Sequence, residues 1–216
     1  MKVSIIIPTH NRLETLKVCL ERVFSYTNRS DKEIIVVPNG CTDGTLEYLQ
    51  SLGERIVLKN IVEAVGQVIP VNVGVEVAKG EFIVLLDDDS HLYPQEIDKW
   101  VKMLNAPFSS DKVGISGIFI ANYPVWGAAM HNGCVMFKKK VWEEVGKFDT
   151  IFGFGYLYDV DFSLKVRKAG YELVNVGAGG VFPLYHPDSS VTTEAKQKQA
   201  ELITKNYGIL QERYGK

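Results

Sequence analysis

Four short runs rich in branched apolar residues recur through the first half of the chain: Val3 to Ile7, Glu33 to Val37, Arg55 to Lys59 and Phe82 to Leu86. Each is too short for a helix and reads as a strand, and the near-continuous apolar character means burial on both faces. The segments between them carry helical spacing instead. Leu13, Leu16, Leu20, Val23 and Phe24 fall on one helical face. Thr42 and Asp43 can cap a helix carrying Leu46 and Leu49, and a third helix is expected from Pro70 to Lys79, closed by Gly80. Strand and helix in strict alternation imply a largely parallel sheet with helices on both sides, because parallel neighbours need a crossover long enough to hold a helix.

The fourth strand ends in three acids, Asp87, Asp88 and Asp89. Open α/β sheets bind ligands beyond the carboxyl ends of their strands, so this charge is delivered to the binding edge. Adjacent carboxylates repel, and a hard divalent cation is the simplest group that holds them together. Mg2+ suits such a place, since one or two carboxylates suffice and substrate phosphates complete the shell.

The second half is less regular. Pro94 to Asn105 reads as a helix with its proline early, Val113 to Ala121 as an apolar stretch broken by glycine, and Gly133 to Phe137 as a further strand. A short helix follows from Asp159 to Ala169, then a late strand from Gly180 to Tyr185. Thr193 to Tyr214 is an amphipathic helix with Ile203, Tyr207, Leu210 and Tyr214 on one face. Packing on the domain is its expected job, with a homodimer or a membrane surface as the alternatives. At 216 residues, with 46% hydrophobic and 23% charged residues, one domain is the default. A net charge of -2 gives no reason to expect nucleic acid. Cys19, Cys41 and Cys134 are odd in number and widely spaced, which argues against a disulfide framework or a zinc site. No signal peptide and no run of roughly 18 apolar residues is present, so a cytoplasmic place with at most peripheral membrane contact is expected.

Four segments in order carry a resemblance: Ser4 to Arg12 (SIIIPTHNR), Val36 to Thr45 (VVPNGCTDGT), Gly80 to Asp89 (GEFIVLLDDD), and Val145 to Asp149 (VGKFD) ahead of Tyr158 to Tyr171 (YDVDFSLKVRKAGY). Together they resemble the family 2 glycosyltransferases, from Val3 to about His186. The resemblance implies an α/β GT-A fold: a single Rossmann-like domain over residues 1–216, with a mostly parallel central sheet flanked by helices. Residues 1–89 would form the nucleotide-sugar half, 90–192 the acceptor and catalytic half, and 193–214 the last helix. It also implies an inverting transfer of a sugar from a nucleoside diphosphate sugar to a glycan, lipid-linked or small-molecule acceptor. On this match the family's D-x-D element falls on Asp87 and Asp89. Asp89 would bind Mn2+ or Mg2+ directly, Asp87 would lie by the ribose or a metal-bound water, and Asp88 would support the turn beside the nucleotide.

The same match places Pro8, Thr9, Asn11 and Arg12 beside the nucleotide, and aligns Asn72 and Gly74 with an N-x-G element. Asp159 is the candidate general base, next to Tyr158 where the family often has an acid. Asp161 is read as a helix N-terminal acid. Pro38 stands where relatives carry an aspartate that contacts the base, which leaves Asn39 or Asp43 to substitute. His186 is a candidate metal ligand. Trp126, His131 and Tyr158 are candidate acceptor contacts, because aromatic faces suit the apolar C–H surface of a sugar ring. Two rival readings share these residues: a non-catalytic nucleotide- or glycan-binding protein of the same fold, and a sugar-phosphate nucleotidyltransferase. The latter would want a glycine-rich phosphate loop, which Met1 to Arg12 lacks.

Overall fold

The computed structural model describes residues 2–28, 30–94, 96–118, 120–130, 133–177 and 193–215. His131, His186 and the expected strand from Gly180 to Tyr185 lie outside the described residues. The chain opens with β1 (Val3–Thr9), α1 (Leu13–Tyr26), β2 (Lys32–Pro38), α2 (Thr45–Ser51), β3 (Val57–Leu58), α3 (Val68–Val77) and β4 (Phe82–Leu86). It continues with α4 (Lys99–Asn105), β5 (Val113–Gly117), β6 (Ile120–Tyr123), β7 (Gly127–Met130), β8 (Cys134–Lys138), α5 (Lys139–Val145), α6 (Tyr158–Lys168), β9 (Glu172–Asn175) and α7 (Thr193–Tyr214).

Seven strands form one sheet in the order β3-β2-β1-β4-β8-β5-β9, and β6 pairs with β7 in a separate hairpin. β1 runs parallel to β2 and β4, whereas β8 is antiparallel to both β4 and β5. The sheet is therefore mixed but mostly parallel. Period-two alternation sends Ile5, Ile7, Ile34, Val36, Val84 and Leu86 to one face, against Leu16, Leu20 and Val23 of α1 and Trp100 and Leu104 of α4. The residues between them, Ile6, Ile35, Val37, Ile83 and Leu85, face Val68, Val71 and Val75 of α3 and Phe162 of α6. Both faces are covered, as the unbroken apolar runs require.

The chain moves outward from β1 to β2 and β3, then crosses back to lay β4 on the other side of β1. That reversal opens a crevice at the carboxyl ends of β1 and β4. Thr9 and Asp87 thus flank the switch point by topology alone.

Several boundaries differ from those read in the sequence. The third strand shrinks from Arg55–Lys59 to two edge residues, because Gly53 to Arg55 fold into a 3-10 turn. The helix expected from Pro94 begins only at Lys99. Asp98 before it is left-handed (φ 65°), its N–H bonded to the Tyr26 carbonyl and its carboxylate to the Asn28 N–H and Lys32. Tertiary contacts set this start, not the proline. Helix α3 ends at Val77, and Gly80 serves a different need than closing it: a Cβ there would lie 2.6 Å from the Ser4 nitrogen.

Candidate active site

The β4 acids sit in a tight turn closed by the Ser90 N–H on the Asp87 carbonyl, 2.9 Å. The Asp87 N–H reaches Gly133 O at 3.1 Å and the Ser90 hydroxyl donates to the same carbonyl at 2.7 Å, so the residue just before β8 pins the turn. Asp88 accepts from the Thr9 hydroxyl at 2.7 Å and from Arg12 at 3.2 Å, which ties the end of β1 to the end of β4. Arg12 also donates to Asp89 at 2.6 Å. Gln67, just before α3, donates its amide to Asp87 at 3.2 Å.

These contacts floor an open cavity of about 460 Å³. Its walls bring together the sequence candidates Pro8, Thr9, Arg12, Asn39, Asp87, Asp88 and Asp89. They also include His10, Ala64, Gly66, Gln67, Phe154 and Tyr156, which the sequence reading did not assign to the nucleotide. The glycine-aromatic run of Gly153, Phe154, Gly155 and Tyr156 was the available signal for the last two.

Other candidates serve mainly to brace the structure around the cavity. Asn11 accepts from the Thr42 N–H at 2.7 Å, and Asp43 accepts from the Leu13 N–H at 3.0 Å and from Thr45, so both brace the loops after β1 and β2. Asn72 is buried with its amide spent on Phe148, donating to its carbonyl (2.8 Å) and accepting from its N–H (3.1 Å). Tyr158 is buried edge-on to Phe148, ring centroids 5.5 Å apart. Trp126 is buried against Tyr207 at 4.9 Å rather than presented as a platform. Asn39 accepts from the Val65 N–H at 2.8 Å and shapes the loop ahead of α3.

The electrostatics of the turn are lopsided. Burial first, then the charges of Asp89, Asp88 and Asp159, push the Asp87 carboxyl up to about 7, against the opposing pull of Arg12. Burial also raises Asp88, although Arg12 and Thr9 counteract it. Burial works against the Arg12 charge, but Asp88 and Asp89 outweigh it and hold the guanidinium more firmly protonated. Negative charge therefore exceeds what one arginine balances. Among the described residues no three His, Cys, Asp or Glu side chains gather as a metal cage. Two hard carboxylates on an open cavity with surplus charge are still the donor set expected for Mg2+ or Mn2+ shared with substrate phosphates. The residues present fit such a cation.

Asp159 opens α6, is buried, and accepts from the Val160 N–H at 2.9 Å. Its charge helps to push Asp87 up, which sets it near the β4 acids, but Asp159 does not itself line the cavity. Asp161 is not a simple helix-end acid. It is fully buried and bonded to Arg213 and Tyr214 of α7, each at 2.9 Å, and to Lys165 at 2.9 Å.

A doubly wound sheet with acids at its switch point, below a cavity of this size, is the arrangement of an α/β domain of the GT-A kind. The model for glycosyl transferase family 2 matches residues 4–161, and the chain belongs to that family. It is 28% identical over 176 residues to a PGL/p-HBAD biosynthesis glycosyltransferase of Mycobacterium bovis, covering 76% of this chain and 68% of that one. It is 30% identical over 105 residues to a poly(ribitol-phosphate) beta-glucosyltransferase of Bacillus spizizenii, covering 46% of this chain but only 17% of the relative. The mannosyltransferase PcManGT from Pyrobaculum calidifontis, solved with GDP-Man and Mn2+, superposes with a TM-score of 0.69 at 20% identity, over 82% of this chain and 55% of that one. At that identity the likeness is one of fold. Among the described residues no helix is long and apolar enough to cross a membrane.

Proposed function

We propose that this chain transfers a sugar from a nucleoside diphosphate sugar to an acceptor hydroxyl with inversion at the anomeric carbon. The observation that carries this reading is the single cavity in which Thr9, Arg12, Gln67 and the three β4 acids converge. Pro8, Thr9 and Asn39 line the nucleotide side of the cavity, and the exposed rings of Phe154 and Tyr156 offer faces to a sugar. Asp87 and Asp89 would hold Mn2+ or Mg2+, with Asp88 fixing the turn that presents them. When bound there, the cation neutralises charge growing on the departing diphosphate. Arg12 can leave Asp89 for a phosphate oxygen without losing an anionic partner. Asp159 takes the proton from the acceptor oxygen as it attacks the face opposite the diphosphate. Its burial keeps bulk water from competing for that role. The mannosyltransferase solved with GDP-Man and Mn2+ supports both the donor class and the cation.

Calorimetry with UDP, GDP, dTDP and CDP tests the donor half of this reading; the panel is needed because Pro38 removes the usual carboxylate beside the base. Binding of one nucleotide is expected only with Mn2+ or Mg2+ present. Asp89→Ala should lose more affinity than Asp88→Ala. Equal affinity in chelator would sink the metal assignment, and the reverse order of the two variants would move the ligand to Asp88. Donor-dependent product formation separates the enzyme from a binding protein of the same fold.

A further inference from the structure

The turn from Phe152 to Leu157 is held in a conformation its residues do not favour. Gly153 (φ 60°), Gly155 (φ 128°), Tyr156 (φ 62°) and Leu157 (φ 64°) all have positive φ. Tyr156 and Leu157 have side chains, and left-handed backbone at such residues is strained. A surrounding structure must therefore impose it. The same turn sets Phe154 and Tyr156 into the cavity wall.

Two elements grip it. On one side, Gly66 (φ 80°) approaches so closely that a Cβ would lie 2.3 Å from Phe154 Cα, and the Gln67 N–H donates to the Phe154 carbonyl at 3.2 Å. On the other side stands Asn206 of α7, which is 1% exposed. Its Nδ2 lies 2.7 Å from Gly155 O, 2.9 Å from Tyr156 O and 3.2 Å from Phe152 O. An amide has two N–H bonds to give, so three carbonyls share them. The Phe152 carbonyl also accepts from the Gly155 N–H at 3.3 Å, whereas those of Gly155 and Tyr156 draw on Asn206. Asn206, Leu210 and Arg213 follow at i, i+4 and i+7, which puts them on one helical face. Leu210 is fully buried, and Arg213 pairs with Asp149 at 2.7 Å, at the head of the same segment.

We infer that Asn206 is a positioning residue: it clamps the aromatic turn in its strained form, and through it sets the sugar-facing wall of the cavity. The helix that carries it lies beyond the residues matched by the family model. The inference rests on the reading that Phe154 and Tyr156 face the donor sugar. The clamp acts mainly on the sugar side, since the carbonyls that Asn206 holds belong to Phe152, Gly155 and Tyr156, whereas Pro8 and Thr9 come from β1 and Asn39 from just after β2.

The test compares Asn206→Ala and the milder Asn206→Ser, which keeps one donor, with Phe154→Ala and Tyr156→Ala. Two quantities are measured with Mn2+: affinity for the free diphosphate, UDP or GDP, and for UDP-glucose or GDP-mannose. Asn206→Ala should weaken the nucleotide sugar about tenfold while changing the free diphosphate less than about twofold, with the serine variant between. Equal losses on both ligands, or no loss on either, would overturn the clamp. If the two aromatic variants also leave the difference between ligands unchanged, the sugar-wall reading has failed; if they abolish it and Asn206→Ala does not, only the clamp has failed. Hydrogen exchange on the ligand-free protein gives an independent arm. Amides of Gln67, Gly153 and Gly155 should exchange faster in Asn206→Ala, with the rest of α7 still protected. Unchanged exchange at those amides overturns the proposal without any ligand.

Discussion

Replacing Asp159 with asparagine is expected to cut the transfer rate by about 10²- to 10⁴-fold, the range typical of a lost general base. The substitution keeps the size of the side chain and an oxygen to accept from the Val160 N–H, so α6 should keep its first turn. It removes the basic carboxylate whose charge reaches Asp87. Donor affinity should stay within about threefold. A small rise is the more reasonable direction, because one of the charges that repels Asp87 disappears. The measurement pairs initial rates at saturating donor and acceptor with donor dissociation constants for wild type and variant. Near-normal turnover would remove Asp159 from the chemistry, and a parallel collapse of donor binding would make it part of the donor site.

Asp161→Ala should be damaging for a different reason. Asp161 is fully buried and gathers Arg213, Lys165 and the Tyr214 hydroxyl, joining α6 to the end of α7. Removing one partner of a buried ion pair costs up to roughly 3–5 kcal/mol, less where the groups left behind are part exposed, as Lys165 is, or keep another partner, as Arg213 keeps Asp149. Arg213 remains about a third exposed and can recover some hydration, which favours the lower end of that range. Burial and the nearby Asp161 also push the Tyr214 phenol up, so it stays a donor into this cluster through the ordinary pH range. Urea unfolding monitored by tryptophan fluorescence should show a lower midpoint with a similar slope. A loss under about 1 kcal/mol would mean that α7 is held by Leu210 and Asn206 and that the charge cluster is incidental.

The contrast between neighbouring acids shows what the sequence could and could not convey. The family resemblance singled out Asp159 and left Asp161 as a helix-end acid, whose bond to Arg213, some fifty residues later in the chain, no local pattern announces. The parallel half of the sheet was readable because its strands are apolar on both faces and its helices repeat at helical spacing. The hairpin of β6 and β7 was not, since Gly127, Ala128 and Ala129 carry no strand preference and owe their conformation to pairing. The β4 acids announced the cavity floor by composition alone. Gln67 gave no such sign: an isolated glutamine beside a glycine acquires its role only when the Phe154 turn and Asp87 arrive on either side of it. Tyr156 and Leu157 go further, since their left-handed backbone runs against local preference and is imposed from outside the segment.

Arg12 has one more effect, on the order of events in the life of the protein. Three acids packed at a strand end would oppose their own assembly, yet the guanidinium already bridges two of them. The scaffold can therefore reach its native form with an internal cation in place. In small zinc domains the ion nucleates the fold and its removal unravels the chain. Here assembly need not wait for an ion: the cation proposed for Asp87 and Asp89 would arrive at a finished receptacle and could be withdrawn and restored without passing through an unfolded state.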